Sequence, residues 1–241
     1  LTVLEAAETI GGGTRSAELT VPGAIHDVCS AGHPMAAASP FFRSLELEKH
    51  GLEWCQPEVD LAHPFDDGSA ATMVRSIEET AAGLGRDGRA WRRLFESPGA
   101  HFDAINEDGL RPILHLPKHP LRLARFGIPA AAPAALLARR WRLPATRALF
   151  AGTSAHSFSP LTRPVSAAVG MALTAACHSV GWPVAAGGSQ SIADALAWVL
   201  RQHGGRIEMG VRVRSLAQLG SPDAVVFDLA PRAIAEIVGG E

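Results

Sequence analysis

Leu1-Thr2-Val3-Leu4-Glu5-Ala6-Ala7-Glu8-Thr9-Ile10-Gly11-Gly12-Gly13-Thr14-Arg15 is the stretch whose reading decides the fold. Leu1 to Leu4 is apolar apart from one threonine and too short for a helix, and it fits a buried strand ending at an acidic residue. Gly11 to Gly13 then impose a loop, because a glycine run tolerates backbone conformations and close approaches that a Cβ forbids. In a dinucleotide-binding sheet, an acidic side chain at a strand end accepts hydrogen bonds from the adenosine ribose hydroxyls. A following glycine loop lets the backbone approach a pyrophosphate or flavin, and an arginine there neutralises phosphate charge. Glu5, Gly11, Gly12, Gly13 and Arg15 are therefore candidate cofactor-binding residues, set against the plainer reading of a strand-end Glu before a structural turn.

Outward from that stretch, Ala17 to Val21 alternates weakly and reads as a second strand, turned by Pro22-Gly23. From about Phe65 the texture becomes helical. Ser76-Ile77-Glu78-Glu79 reads as a capping box, Gly83 and Gly85 stop that helix, and Asp87 is placed to cap the next one. Trp91, Leu94 and Phe95 then share one face. Residues 118–150 read as short helices punctuated by Pro120, Pro129, Pro133 and Pro144. Arg122, Arg125, Arg139, Arg140 and Arg142 make a positive patch there, for which solvated helix faces around an Ala/Leu core are the simpler reading.

Gly187 to Ser191 lead into a helix with Ile192, Leu196, Val199 and Leu200 on one stripe, closed by Gly204-Gly205, with Ser189 and Ser191 as caps. Arg206 to Val213 reads as a strand pair or one bent strand, Ala224 to Phe227 as a buried strand, and Pro231 as the start of a final helix. Ends of α/β texture and a helical middle predict a sheet domain built from residues 1–64 and 181–241, with residues 65–180 inserted as a helical cap.

Composition bounds the function. With 241 residues, 47% hydrophobic and 19% charged, the chain can bury a core, which excludes disorder. A net charge of −2 from 22 basic and 24 acidic residues is no electrostatic footprint for nucleic acid or an anionic membrane. Cys29, Cys55 and Cys177 form no disulfide framework and read as reduced small hydrophobes. The longest apolar stretch, Val165 to Cys177, falls short of the ~20 residues a membrane span needs. The histidines show no metal-ligand spacing, and neither Gly152 to His156 nor Gly187 to Ser191 completes a G-x-S-x-G elbow.

Residues 3–42 (VLEAAETIGGGTRSAELTVPGAIHDVCSAGHPMAAASPFF) resemble the N-terminal stretch of phytoene-dehydrogenase-like FAD-dependent oxidoreductases, within the wider flavin amine-oxidase class. Pro22-Gly23, His26-Asp27 and His33-Pro34 occupy the places of the family's loop beside the flavin. Residues 181–216 (GWPVAAGGSQSIADALAWVLRQHGGRIEMGVRVRSL) are similar to its glycine-led helix and following strands, in which the backbone at Val213 approaches the adenine. Residues 223–231 (DAVVFDLAP) are similar to a strand returning toward the flavin.

The resemblance implies an α/β fold: an incomplete Rossmann-like FAD/NAD(P)-binding domain with a helical substrate-binding cap lining an apolar tunnel. It implies FAD as cofactor, held by Glu5, Gly11, Gly12, Gly13, Arg15 and Val213, with Ser30 and His33 facing flavin or substrate and no metal. No catalytic acid or base is named. The activity implied is hydride transfer between flavin and a small apolar substrate, in the cytoplasm, with peripheral membrane contact to reach a lipid. The family's G-x-G-x-x-G loop and its C-terminal flavin segment have no counterpart in these residues. A longer parent protein follows as an expectation, as does poor FAD binding by this chain alone. A non-catalytic escort on the same fold and an inactive truncated piece are the alternatives.

Overall fold

Local signals set the element boundaries in a computed structural model that describes residues 1–112 and 114–239. The first part contains β1 (Thr2–Leu4), β2 (Ser16–Glu18), β3 (Ile25–Asp27), α1 (Pro34–Ala37), α2 (Pro40–Ser44), β4 (Trp54–Cys55), β5 (Leu61–Pro64) and β6 (Ala70–Met73). A helical layer follows, made of α3 (Ile77–Gly83), α4 (Gly88–Ala100), α5 (Phe102–Gly109), α6 (Pro120–Ala130), α7 (Ala134–Leu137), α8 (Pro144–Ala155) and α9 (Ala167–Val180). The chain continues through β7 (Val184–Ala185), α10 (Gln190–Gln202), β8 (Arg206–Glu208) and α11 (Pro231–Val238).

The strands of the described residues pair only in twos. β1 and β8 run parallel, Val3 opposite Ile207, and β4 pairs antiparallel with β7, Trp54 opposite Ala185. Both pairs join the beginning of the chain to its last third. β2–β3 and β5–β6 are local antiparallel hairpins. The chain is thus mixed helix and strand, and among the described residues the parallel pairing of the expected incomplete Rossmann-like sheet is confined to β1 and β8.

Several elements differ from expectation for identifiable reasons. Helix does not begin near Phe65: the β5–β6 hairpin intervenes and helix starts at Ile77. The strand expected over Arg206 to Val213 ends at Glu208, because Gly210 takes φ +71° and turns the chain. Ala224 to Phe227 has the apolarity of a buried strand but pairs with no strand among the described residues, and Val226 lies at the surface. Apolar composition marks a segment as suited to a pleated surface without supplying a neighbour to pair with.

The helical layer follows the sequence more closely. Pro120 and Pro144 sit in the first turns of α6 and α8, where a missing N–H costs nothing. Ser76 Oγ accepts the Glu79 amide, forming the serine half of the expected box. In α4, Trp91, Leu94, Phe95 and Pro98 recur at helical spacing and are all buried. They pack with Trp141, Leu149, Phe150, Met171 and Cys177. A Cβ on Gly88 would stand 2.0 Å from the Ala81 carbonyl oxygen, so only glycine lets α4 start against α3. Among the described residues no single helix is long and apolar enough to cross a membrane.

Asp87 does not cap α4 with its side chain. Its buried carboxylate instead accepts the backbone amides of Arg142 (2.9 Å) and Leu143 (2.6 Å), which ties the entry of α8 to the start of α4. Burial acts to raise its pKa, but these amides outweigh it and hold the carboxyl below the ordinary range.

One half-buried histidine titrates against the fold. His178 Nε2 accepts the Trp91 indole N–H at 2.9 Å, and Nδ1 lies 3.2 Å from the Arg75 carbonyl oxygen, so the neutral tautomer satisfies both. Burial pushes its pKa down from 6.5 to about 4. The unfolded chain therefore binds this proton first. The stability the site contributes is complete above pH 6.5 and is lost as pH falls from there toward 4. Urea midpoints of the wild type are expected to drop across that window, by roughly 1–3 kcal/mol for this group. A His178→Gln variant should have a flatter profile there, and equal slopes would refute the assignment.

Candidate functional site

At the C-terminal tip of β1, the Glu5 amide donates to the Glu208 carbonyl at 2.9 Å, extending the parallel ladder by one residue. The chain leaving β8 folds back over this tip. The Val211 amide donates to the Glu5 carbonyl (2.8 Å) and the Gly210 amide to the Ala7 carbonyl (2.9 Å). Glu5 Oε1 accepts the Ala7 amide at 2.7 Å, which holds the half-buried carboxylate in one orientation. A carboxylate fixed at this edge of a parallel pair can accept from a vicinal diol. Val213 follows two residues after Val211, half-buried and in no strand.

The glycine loop closes on itself where the Thr14 amide donates to the Gly11 carbonyl (2.7 Å). Gly11 has φ +110°, and a Cβ there would stand 2.5 Å from the Thr14 carbonyl oxygen and 3.2 Å from the Ala193 Cβ. The loop can lie on α10 only because this position is glycine. Gly12 and Gly13 face outward, and the Gly13 carbonyl accepts the Ser30 amide at 3.1 Å. Arg15 is exposed and forms no ion pair among the described residues, while its carbonyl accepts the Val28 amide.

The β2–β3 register sets Ser16 opposite Asp27, and this pair meets the start of α10. Asp27 Oδ1 accepts Ser16 Oγ (2.7 Å), the Ser189 amide (2.7 Å) and Ser189 Oγ (2.6 Å), while the Gln190 amide donates to Ser16 Oγ (3.1 Å). The first amides of α10, which no helical carbonyl can satisfy, are thus answered by side chains more than 160 residues away. Burial works to raise the Asp27 pKa, but the Ser189 and Ser16 hydrogen bonds prevail and hold it below the ordinary carboxylate range.

Ser189 Oγ also lies 2.7 Å from the Ser30 carbonyl. His33 packs behind this group, with its ring centroid 6.0 Å from that of Trp54. Burial lowers the His33 pKa, against the opposing pull of the Asp27 carboxylate and the Ser30 carbonyl. Its Nε2 is buried with no hydrogen-bond partner among the described residues, and only 8% of the residue is exposed.

The structure therefore gathers the sequence candidates into two groups. Glu5 meets the segment leading to Val213, whereas Gly11, Gly13, Ser30 and His33 gather around Asp27 and the start of α10. Asp27 and Ser189 are the centre of the second group. Ser189 and Ser191, expected as caps of their own helix, are engaged otherwise: Ser189 serves Asp27 and Ser191 Oγ donates to the Gly188 carbonyl. Of the three cysteines read as small hydrophobes only Cys177 is buried; Cys29 is exposed beside Gly13, and Cys55 is exposed as well. Among the described residues no three potential ligands cluster to hold a metal ion.

No family model matches the chain, and no curated protein does. Similar solved structures come from a redesign of cofactor binding in putrescine oxidase: a double mutant, a triple mutant and the wild type bound to putrescine. Each is 16% identical, with TM-scores of 0.49, 0.48 and 0.48. The match covers 88% of this chain and 46% of theirs, so the chain spans about half the length of those structures. At that identity and TM-score the likeness fixes neither the fold nor the function of this chain.

Proposed function

We propose that this chain belongs to a cytoplasmic FAD-dependent oxidoreductase of the phytoene-dehydrogenase-like kind, in which it holds the adenosine end of the cofactor. The observation that carries this reading is Glu5, held in one orientation at the end of the parallel β1–β8 pair. Glu5 would accept from the ribose hydroxyls, and the backbone near Val213 would lie against the adenine. Gly12, where a Cβ would meet nothing within 4 Å, leaves room for a ligand over the loop, and Arg15 is free to reach a phosphate. The fit stops at the start of α10, whose amides are already engaged. When bound, FAD accepts a hydride equivalent from a substrate carbon or returns one.

An apolar substrate accords with the resemblance and with the bare apolar side chains of the helical layer. The interior of that layer is filled by Trp91, Phe95, Trp141 and Phe150, so such a substrate would lie along its surface and not in an internal tunnel.

Saturation-transfer NMR of the chain with FAD tests the reading. Signal is expected at the adenine and ribose protons and is expected to exceed that at the flavin ring. Glu5→Gln should weaken binding by about tenfold or more, the worth of a charge-assisted acceptor, without moving the melting temperature. Silence at the ribose protons of the wild type, or undiminished signal in the variant, would overturn it.

A further inference from the structure

From Gly109 to Ala193 the sequence carries nine basic residues, Lys118 and eight arginines, and neither aspartate nor glutamate. The net charge of −2 conceals this, since all 24 acidic residues lie elsewhere with the remaining 13 basic ones. Within this cationic span, α6 lies at the surface with apolar side chains on both sides. Phe126 packs against the helical core and Ala130 is buried. On the outer side, Leu121 and Ile128 are 85% and 75% exposed, and Leu116 just before the helix is 92% exposed. Arg122 and Arg125 are exposed on the same helix and form no ion pair among the described residues.

The approach to α6 is built. Buried Asp108 accepts the amides of Lys118 (2.9 Å) and His119 (2.8 Å), fixing the entry to α6 against the end of α5. α6 and the following helix through Arg140 are together apolar enough for a membrane segment, yet they turn by 95° at their break. A pair bent in this way fits lying in an interface better than spanning a bilayer.

Two properties must be met at once: bare aliphatic side chains that gain from leaving water, and unpaired guanidinium groups beside them. A second copy of the chain would set the same cations against one another across a two-fold axis, which repels. An anionic bilayer supplies both an apolar layer and compensating headgroups, with each surface arginine adding about 1 kcal/mol, or roughly fivefold. We propose that α6, with Leu116, is an interfacial helix that seats this face on an anionic lipid bilayer. This docking needs no flavin and is separate from the Glu5 site.

Sedimentation of the whole chain with phosphatidylcholine vesicles, with and without about a quarter phosphatidylglycerol, tests it. The protein is expected to pellet with the anionic vesicles and to be released by high salt. Arg122→Glu with Arg125→Glu should weaken binding about thirtyfold or more. Leu121→Ser with Ile128→Ser should weaken it about tenfold or more, at unchanged circular dichroism. Equal binding to neutral and anionic vesicles, or variants that pellet like the wild type, would overturn the proposal. So would a concentration-dependent dimer that these same substitutions dissolve.

Discussion

Trp91→Ala is expected to destabilise the protein by about 3–5 kcal/mol. Trp91 is fully buried, with ring centroids 4.6 Å from Phe95 and 5.4 Å from Trp141. Truncation leaves a cavity the size of an indole among side chains that cannot close over it, since Phe95, Trp141 and Phe150 hold one another in place. It also removes the donor to His178 Nε2. Trp91→Phe separates the two effects: it restores most of the volume but leaves His178 without its partner, and should cost about 1–3 kcal/mol. Urea unfolding of both variants at pH 7.5 makes the comparison. A loss below about 1 kcal/mol for the alanine variant would mean that the aromatic group is not the centre of the helical core.

Asp87→Ala should follow at about 2–4 kcal/mol. The substitution leaves the part-buried amides of Arg142 and Leu143 without their acceptor and unties the entry of α8 from the start of α4. Asp87→Asn keeps one oxygen in position and is expected to cost about half as much. The pH dependence separates this site from His178. The folded Asp87 carboxyl sits below its ordinary 3.8, so its contribution is present above that pH and fades as pH falls through the lower folded value. His178 acts in the higher window, between 6.5 and about 4. The gap between wild type and Asp87→Ala should therefore be constant from pH 7.5 to 5 and narrow only in stronger acid.

What the sequence made legible was local. The Trp91, Leu94 and Phe95 stripe, the proline starts of α6 and α8, the glycine stop after α10 and the final helix at Pro231 all depend on residues within a turn or two of one another. The β5–β6 hairpin also had a local signal, Asp67-Gly68 between two short apolar runs, with Gly68 at φ +82°. Its neighbours made that stretch look helical too early. Other features had no local trace. Asp27 finds Ser189 across 162 positions and Asp87 finds Arg142 across 55, and nothing in the intervening residues specifies either meeting. The apolarity of Ala224 to Phe227 carried no information about whether a neighbouring strand would be there. Whole-chain charge misled in a different way, by averaging an acidic remainder with the cationic span from Gly109 to Ala193.

The bond from Asp27 to the beginning of α10 has a consequence for any nucleotide that reaches this corner. A helix start is ordinarily an attractive landing for negative groups, since its free amides and dipole both face outward. Here an acid from a distant hairpin has already taken that seat, and it stays ionised at neutral pH. The start of α10 therefore offers a phosphate no open amide, so a molecule gripped by its sugar at Glu5 would have to find its counter-charge elsewhere, and Arg15 is the group left to supply it.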